Sequence, residues 1–198
     1  MPEDIKPNRR QQSHERILDA AARALCRDGC SGVGVAGVMK EAGLTHGGFY
    51  AHFESRDALL AEAVERAGVL GNERLRERVR RRVDAGSTPL RAVIEEYLSE
   101  LHANATDSGC PVAALGADMG RAQGALREVA ARRVRHLVGL VAESLPPGSA
   151  PGAAAVIAST VVGAIQMARA FDDGERVAML QTCREALIAQ YDRTGLKD

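Results

Sequence analysis

The sequence predicts an all-α protein. Apolar residues recur at three- and four-residue spacings along most of the chain, the period of a helix buried on one face. No β-branched run alternates with polar residues, so no sheet is expected. Tryptophan is absent and aromatic residues make up 3% of the chain, while alanine, leucine and arginine, all good helix formers, abound. With 198 residues there is length for one large or two small domains around a proper core.

The first helix is expected over Ser13–Arg27, where Ile17, Leu18, Ala21, Ala22 and Leu25 form one apolar face and Gly29 ends it. Lys6, Arg9 and Arg10 precede it as a basic arm, either a solvated tail or a reach toward phosphates or a minor groove. Gly32-Val33-Gly34-Val35-Ala36-Gly37 matches the dinucleotide fingerprint letter for letter. That fingerprint needs a strand before it and a βαβ unit around it. A helix precedes it here, so it reads as a loop and the start of the next helix.

From Val35 to Phe53 the chain reads as two short helices bent about a glycine. Val35, Val38, Met39 and Ala42 fall at i, i+3, i+4 and i+7. Gly43 stops this helix in the left-handed conformation that glycine takes without steric cost, and Leu44 packs back on it. Thr45 is suited to cap the second helix through its hydroxyl. Phe49 and Phe53, at i and i+4, dock that helix on the core. Its other face offers His46, Gly47, Gly48 and Ala51, small or hydrogen-bonding groups that fit a groove. This is a helix-turn-helix pattern, with Thr45, His46, Gly47, Gly48 and Ala51 toward base edges in the major groove. Tyr50, His52 and Arg56 flank that face as phosphate contacts, and Ser55 caps the helix that follows.

A long helix is expected from Arg56 past Leu59, Leu60, Ala63 and Val64 toward Arg82. Its six arginines between Arg74 and Arg82, with Glu77 among them, read as a solvated basic face. Thr88 and Pro89 open an amphipathic helix over Leu90–Ala105, with Val93, Ile94, Tyr97, Leu98 and Leu101 inward. After the break at Asp107-Ser108-Gly109, a short apolar helix runs from Cys110 through Leu115 and Met119. Further helices are expected over Ala125–Leu145, Ala153–Phe171 and Gly174–Tyr191, the first two separated by a loop of three prolines and two glycines. In the penultimate helix Ala155, Ser159 and Gly163 form a stripe of small residues, with Val156, Thr160 and Ala164 beside it. That face invites burial, within the subunit or against a second copy together with Val177, Leu180, Cys183, Leu187 and Ile188 of the last helix.

The run Gly43-Leu44-Thr45-His46-Gly47-Gly48-Phe49-Tyr50-Ala51-His52-Phe53-Glu54-Ser55-Arg56-Asp57 resembles the signature of TetR-family transcriptional repressors, in which a Phe-Tyr-x-His-Phe run closes the recognition helix. The matching stretch covers about Ile17 to Leu60. The resemblance implies an N-terminal three-helix DNA-binding domain over residues 1–57 and a helical ligand-binding and dimerisation domain over 58–198, about nine helices in all. It also implies a homodimer through the last two helices, operator DNA as partner, and a long connecting helix that carries ligand state to the reader. One departure is plain: the family usually places a threonine or serine where Gly34-Val35 open the second helix.

A regulator needs an input. Tyr97, His102, Met119, His136 and Met167 lie on helices able to line an apolar cavity with a few polar groups. Cys110 sits at a helix N-terminus, where the dipole favours thiolate. Its Gly-Cys junction resembles a branch of the family that responds to electrophiles or oxidants through cysteine. The four cysteines, at 26, 30, 110 and 183, show neither metal spacing nor a disulfide framework, and no cofactor is implied. Met1–Gln12 is polar, without a signal peptide, and Ala153–Ile165 is too short to span a bilayer, which points to a cytoplasmic protein. Lysine plus arginine equals aspartate plus glutamate, 26 each, which excludes a histone-like polycation but not a specific reader.

Two other classes compete. One is a small enzyme with Cys110 as nucleophile and His102 or His136 as base, for which no further signature exists. The other is a ligand-binding helical protein without operator binding, favoured by eight basic against eight acidic side chains in residues 1–57.

Overall fold

The computed structural model describes residues 8–192, which form ten α-helices and one 3-10 helix with no strand. Helix α1 (Arg9–Gly32) starts a turn earlier than expected, because the Asn8 side chain accepts the Gln11 backbone N–H at 2.9 Å. Arg9 and Arg10 are therefore helical, while Lys6 lies outside the described residues. Gly29, with non-helical φ +72° and ψ 175°, ends the regular run of α1 as expected, and a short turn to Gly32 follows the kink. Helix α2 (Val35–Glu41) opens at Gly34 without a side-chain cap. Gly43, at φ +69°, closes it: its N–H bonds the Lys40 carbonyl (3.0 Å) and the Leu44 N–H bonds the Met39 carbonyl (2.9 Å), the paired bonds of a Schellman motif. The second helix of the pair is a 3-10 helix (His46–Ala51), and the Thr45 side chain makes no capping bond to it.

Helix α3 (Arg56–Asp84) runs 29 residues with Ser55 capping the Ala58 N–H at 3.1 Å. Ile17, Leu25, Met39, Phe49 and Phe53 pack with Leu59, Leu60 and Val64 of α3 into one core. The first core thus takes in α3 well beyond residue 57. Farther along, Leu75 joins a second core built on Tyr97, Val141, Ile157 and Ile165.

The expected helix over Leu90–Ala105 is two helices, α4 (Pro89–Tyr97) and α5 (Glu100–Asn104). Ser99 caps the second of these through the His102 N–H at 3.2 Å. The break turns Leu101 outward, where it is 63% exposed rather than buried. The segment after Cys110 is likewise split, into α6 (Pro111–Ala114) and α7 (Gly116–Arg121). Helices α8 (Gly124–Ser144), α9 (Ala153–Ala168) and α10 (Asp173–Tyr191) complete the second half. The arginine run on α3 is not a bare basic face. Arg76 pairs with Glu143 (3.1 Å), Arg78 with Glu96 (3.0 Å), Arg80 and Arg81 with Glu77, and Arg82 with Glu95 (2.8 Å) and Glu96.

Helix α9 keeps Ile157, Val161 and Ile165 inward and leaves Val156 and Met167 more than half exposed, beside exposed Ala155 and Ser159. The small-residue stripe therefore lies on the outer side. On α10, Val177 is exposed, but Leu180 and Leu187 are buried in the subunit's own core and are not free for a partner. No helix among the described residues is long and apolar enough to cross a membrane.

Candidate nucleic-acid interface and cavity

The glycine turn and the two phenylalanines hold the 3-10 helix with one side buried. Phe49 and Phe53 are almost fully enclosed, their rings 5.7 Å apart, and the opposite side carries Thr45, His46, Gly47, Tyr50 and Ala51 to the surface. Tyr50 is 76% exposed and nothing surrounds Gly47, while Gly48 is half-buried over the Met39 methyl. The result is a small-sided ridge with a phenol hydroxyl at its edge.

Two sequence-assigned phosphate contacts sit differently. Arg56 is half-buried and donates to the Val33 carbonyl (Nε, 3.0 Å) and to the Cys30 carbonyl, so it ties the α1–α2 connection to α3 instead of pointing outward. That corrects its reading as a free cation. His52 is half-buried beside His14 (ring centroids 5.9 Å), and its Nδ1 is enclosed without a partner among the described residues. Burial, then the neighbouring His14 and Arg10, lowers its pKa. Arg10, read from sequence as part of a basic arm, and Arg16, not singled out, brace the reader: Arg10 donates to the Ala51 carbonyl (2.8 Å), and Arg16 donates to the Ala42 carbonyl under the Gly43 turn.

In the second half, a cavity of about 160 Å³ lies between α3, the α4–α5 break, the start of α6, and α8. It brings together four of the six sequence-assigned input residues: Tyr97, His102, Cys110 and His136. The other two are placed elsewhere. Met167 is 54% exposed on the outside of α9, and Met119 is wedged between the two cores. Both were assigned on helix membership alone, and each helix turns them away from the cavity.

Within the cavity His102 is committed to the backbone. Its Nδ1 donates to the Tyr97 carbonyl (2.7 Å), and its Nε2 accepts the Cys110 N–H (3.1 Å). Burial holds this neutral tautomer by lowering the pKa to about 4. Since Nε2 is taken by a backbone N–H, His102 is no base for the Cys110 thiol. Cys110 precedes a helix of four residues, too short to carry the macrodipole that its position suggested. The Tyr97 ring meets the His102 ring edge-on at 4.5 Å, and its hydroxyl is buried without a hydrogen-bond partner among the described residues. The Cys110 thiol is close enough to push the phenol pKa further up, after burial, but does not meet hydrogen-bond geometry.

Sequence reading missed Arg133. It is buried on α8, pairs through Nη2 with Glu65 of α3 (3.0 Å), and has an Nε without a partner among the described residues. It crosses α3 at Gly68, where a Cβ would stand 2.3 Å from the arginine Cδ. The available signal was its place in the apolar stripe Val129, Arg133, Leu137, Leu140, where a charge needs a reason.

The two halves meet at α1. Asp118 of α7 accepts the Cys30 N–H (3.1 Å) at the Gly29 kink. Cys26 nearby is buried with its pKa raised to about 11, chiefly by desolvation, an inert thiol.

Residues 17–63 match the family model described as "Bacterial regulatory proteins, tetR family", and residues 86–183 match "Tetracyclin repressor-like, C-terminal domain". An uncharacterized HTH-type transcriptional regulator of Mycobacterium tuberculosis is 30% identical over 170 residues, covering 80% of this chain and 85% of that protein. The HTH-type transcriptional regulator LmrA of Bacillus subtilis is 28% identical over 157 residues, covering 77% and 81%. Among solved structures the fold is shared with the reduced form of E. coli NemR (TM-score 0.75, 19% identity, 93% and 98% covered). It is also shared with a multidrug binding protein, EbrR, complexed with imidazole (TM-score 0.69, 22% identity, 100% of both chains). Regulators, not enzymes, make up this group, and the match over both halves makes this chain a member of the tetR family of DNA-binding transcriptional regulators.

Proposed function

We propose that the protein is a homodimeric repressor acting in the cytoplasm, released from its operator when a small molecule or a thiol-reactive compound acts on the C-terminal cavity. The observation that carries this reading is one short segment touching both sites. Its first residue, Cys110, lies in the cavity wall against His102; eight residues on, Asp118 holds the Cys30 N–H at the α1 kink. A ligand that moves the Cys110 end disturbs a contact of the DNA-binding half, and its effect on DNA equals its differential affinity for the two arrangements.

Thr45, His46, Gly47, Gly48 and Ala51 meet base edges in this reading, and Tyr50 and His52 hold phosphates. Operator recognition needs two readers about 34 Å apart, hence a dimer. The outward face of α9, with Val156, Met167 and the stripe Ala155, Ser159 and Gly163, supports an interface made with the outer side of α10. The first unit ends at residue 57 by the sequence reading, and α3 carries the second. The imidazole-bound multidrug protein among the fold relatives favours a reversible small ligand, while Cys110 favours a covalent one.

The test is binding of the purified protein to a labelled duplex from upstream of its own gene, across a salt series, with and without N-ethylmaleimide. Expected is salt-sensitive, competitor-resistant binding that the maleimide relieves in wild type and not in Cys110→Ser. Binding that ignores maleimide leaves a repressor with a reversible ligand. Failure to enrich any duplex from a random pool overturns the repressor.

A further inference from the structure

The cavity's polar groups narrow what it accepts. Among the described residues no acidic residue lines it, whereas Arg74, Arg78 and Arg133 do. Arg78 and Arg133 each have one carboxylate just outside the lining, Glu96 and Glu65. Arg74 donates to the Ser108 carbonyl (2.7 Å) and has no ion pair among the described residues. Glu96 is shared with Arg82 and Glu65 with Arg132, while Arg74 meets only a carbonyl, so the wall of the cavity is net positive. Two residues of the cavity wall, each more than nine-tenths buried, carry a donor without a hydrogen-bond partner among the described residues, the Tyr97 hydroxyl and the Arg133 Nε–H, sealed just behind the lining. An unmet buried donor is costly, so both favour a ligand that brings an acceptor. The rest of the wall is apolar, from Leu75, Val112, Leu137 and Leu140. Its volume of about 160 Å³ is near that of apolar cavities of about 150 Å³ that take benzene.

We propose that the effector is an organic monoanion about the size of one substituted ring, its acid group taken by Arg133 and Tyr97 in competition with Glu65. This rests on the cavity being the effector site. Because Glu65 is on α3 and Arg133 on α8, an acid group that draws Arg133 inward loosens the ion pair joining those helices beside Gly68.

The test is calorimetric titration of the full-length protein with benzoate and with its neutral isostere benzamide. Benzoate is expected to bind at least about tenfold tighter, the worth of one charge-assisted hydrogen bond. Arg133→Gln should erase that preference. Tyr97→Phe, which removes only the unmet hydroxyl, should weaken benzoate severalfold, and Glu65→Gln, which frees Arg133, should strengthen it. Equal affinity for the two probes overturns the anion assignment and leaves the cavity as the input site. Binding of neither overturns both. If Arg133→Gln does not fold, an unchanged preference in both Tyr97→Phe and Glu65→Gln overturns the proposal.

Discussion

Replacing His102 with glutamine should flatten the acid limb of the protein's stability profile. In the folded chain the imidazole is buried and neutral, donating from Nδ1 to the Tyr97 carbonyl and accepting the Cys110 N–H on Nε2. Protonation needs Nε2 to carry a hydrogen toward a group that itself donates, so the folded pKa drops from 6.5 to about 4, with burial as the main cause. The unfolded chain takes up the proton near 6.5. Between these values the unfolded state binds more protons, so stability is full above about pH 6.5 and declines as pH falls toward 4. Spread over that interval at 1.36 kcal/mol per unit, the loss reaches about 3 kcal/mol, a large share of the stability of an ordinary domain. Glutamine does not titrate and can offer a donor and an acceptor at similar reach. Urea unfolding of wild type and His102→Gln at half-unit steps from pH 4.5 to 7.5 isolates the residue, because titrating carboxylates are common to both. The stability difference should change by about 2 kcal/mol or more across that range, in favour of the variant at the acid end. A difference that stays constant with pH refutes the neutral, backbone-bound histidine.

Arg56→Ala should lower stability by about 1–3 kcal/mol, because the carbonyls of half-buried Cys30 and buried Val33 lose their donor. Its effect on DNA affinity should keep the salt slope of wild type; a slope reduced by about 0.9 per subunit would restore Arg56 as a phosphate contact. Val156→Asp, at a position 51% exposed in the single chain, should leave helicity and unfolding of the subunit nearly unchanged yet shift sedimentation from dimer to monomer. A variant that remains dimeric at micromolar concentration moves the interface away from α9.

What could be read from sequence was what short-range chemistry decides. The Gly43 turn, the Ser55 and Thr88 caps and the apolar spacing of α2 each depend on residues within a few positions, and each stands where expected. Features set by distant partners were not legible. The Gly29 stop was legible, but not that Asp118, 88 positions away, meets the backbone just past it. The break after Tyr97 has no glycine or proline to announce it; Ser99, the His102 ring and the Arg169 guanidinium, which donates to the Ala103 carbonyl, stabilise it together. Arg56 followed a cap in the expected way, but the carbonyls it reaches are 23 and 26 positions back. The cavity residues divide similarly. Tyr97, His102, Cys110 and His136 converge because the α4–α5 break folds two helix ends toward α8, while Met119 and Met167 were placed on the right helices and the wrong sides.

The unbroken α3 makes the molecule a lever. It passes Arg133 at Gly68 and begins at Arg56, and twelve residues of helix separate these points by about 18 Å. If α3 pivots near Gly68 by roughly 5°, simple geometry on that 1.5 Å rise displaces the Arg56 end by about 1.6 Å. A displacement of that size exceeds the whole span of allowed N–H···O lengths. A stiff rod needs no unfolding and no chain of rearranging side chains to turn a slight tilt at one end into a misfit at the other. In the release proposed above, the effector acts across α3 rather than along it, and a glycine pair introduced between Arg56 and Gly68 would absorb the motion before it arrived.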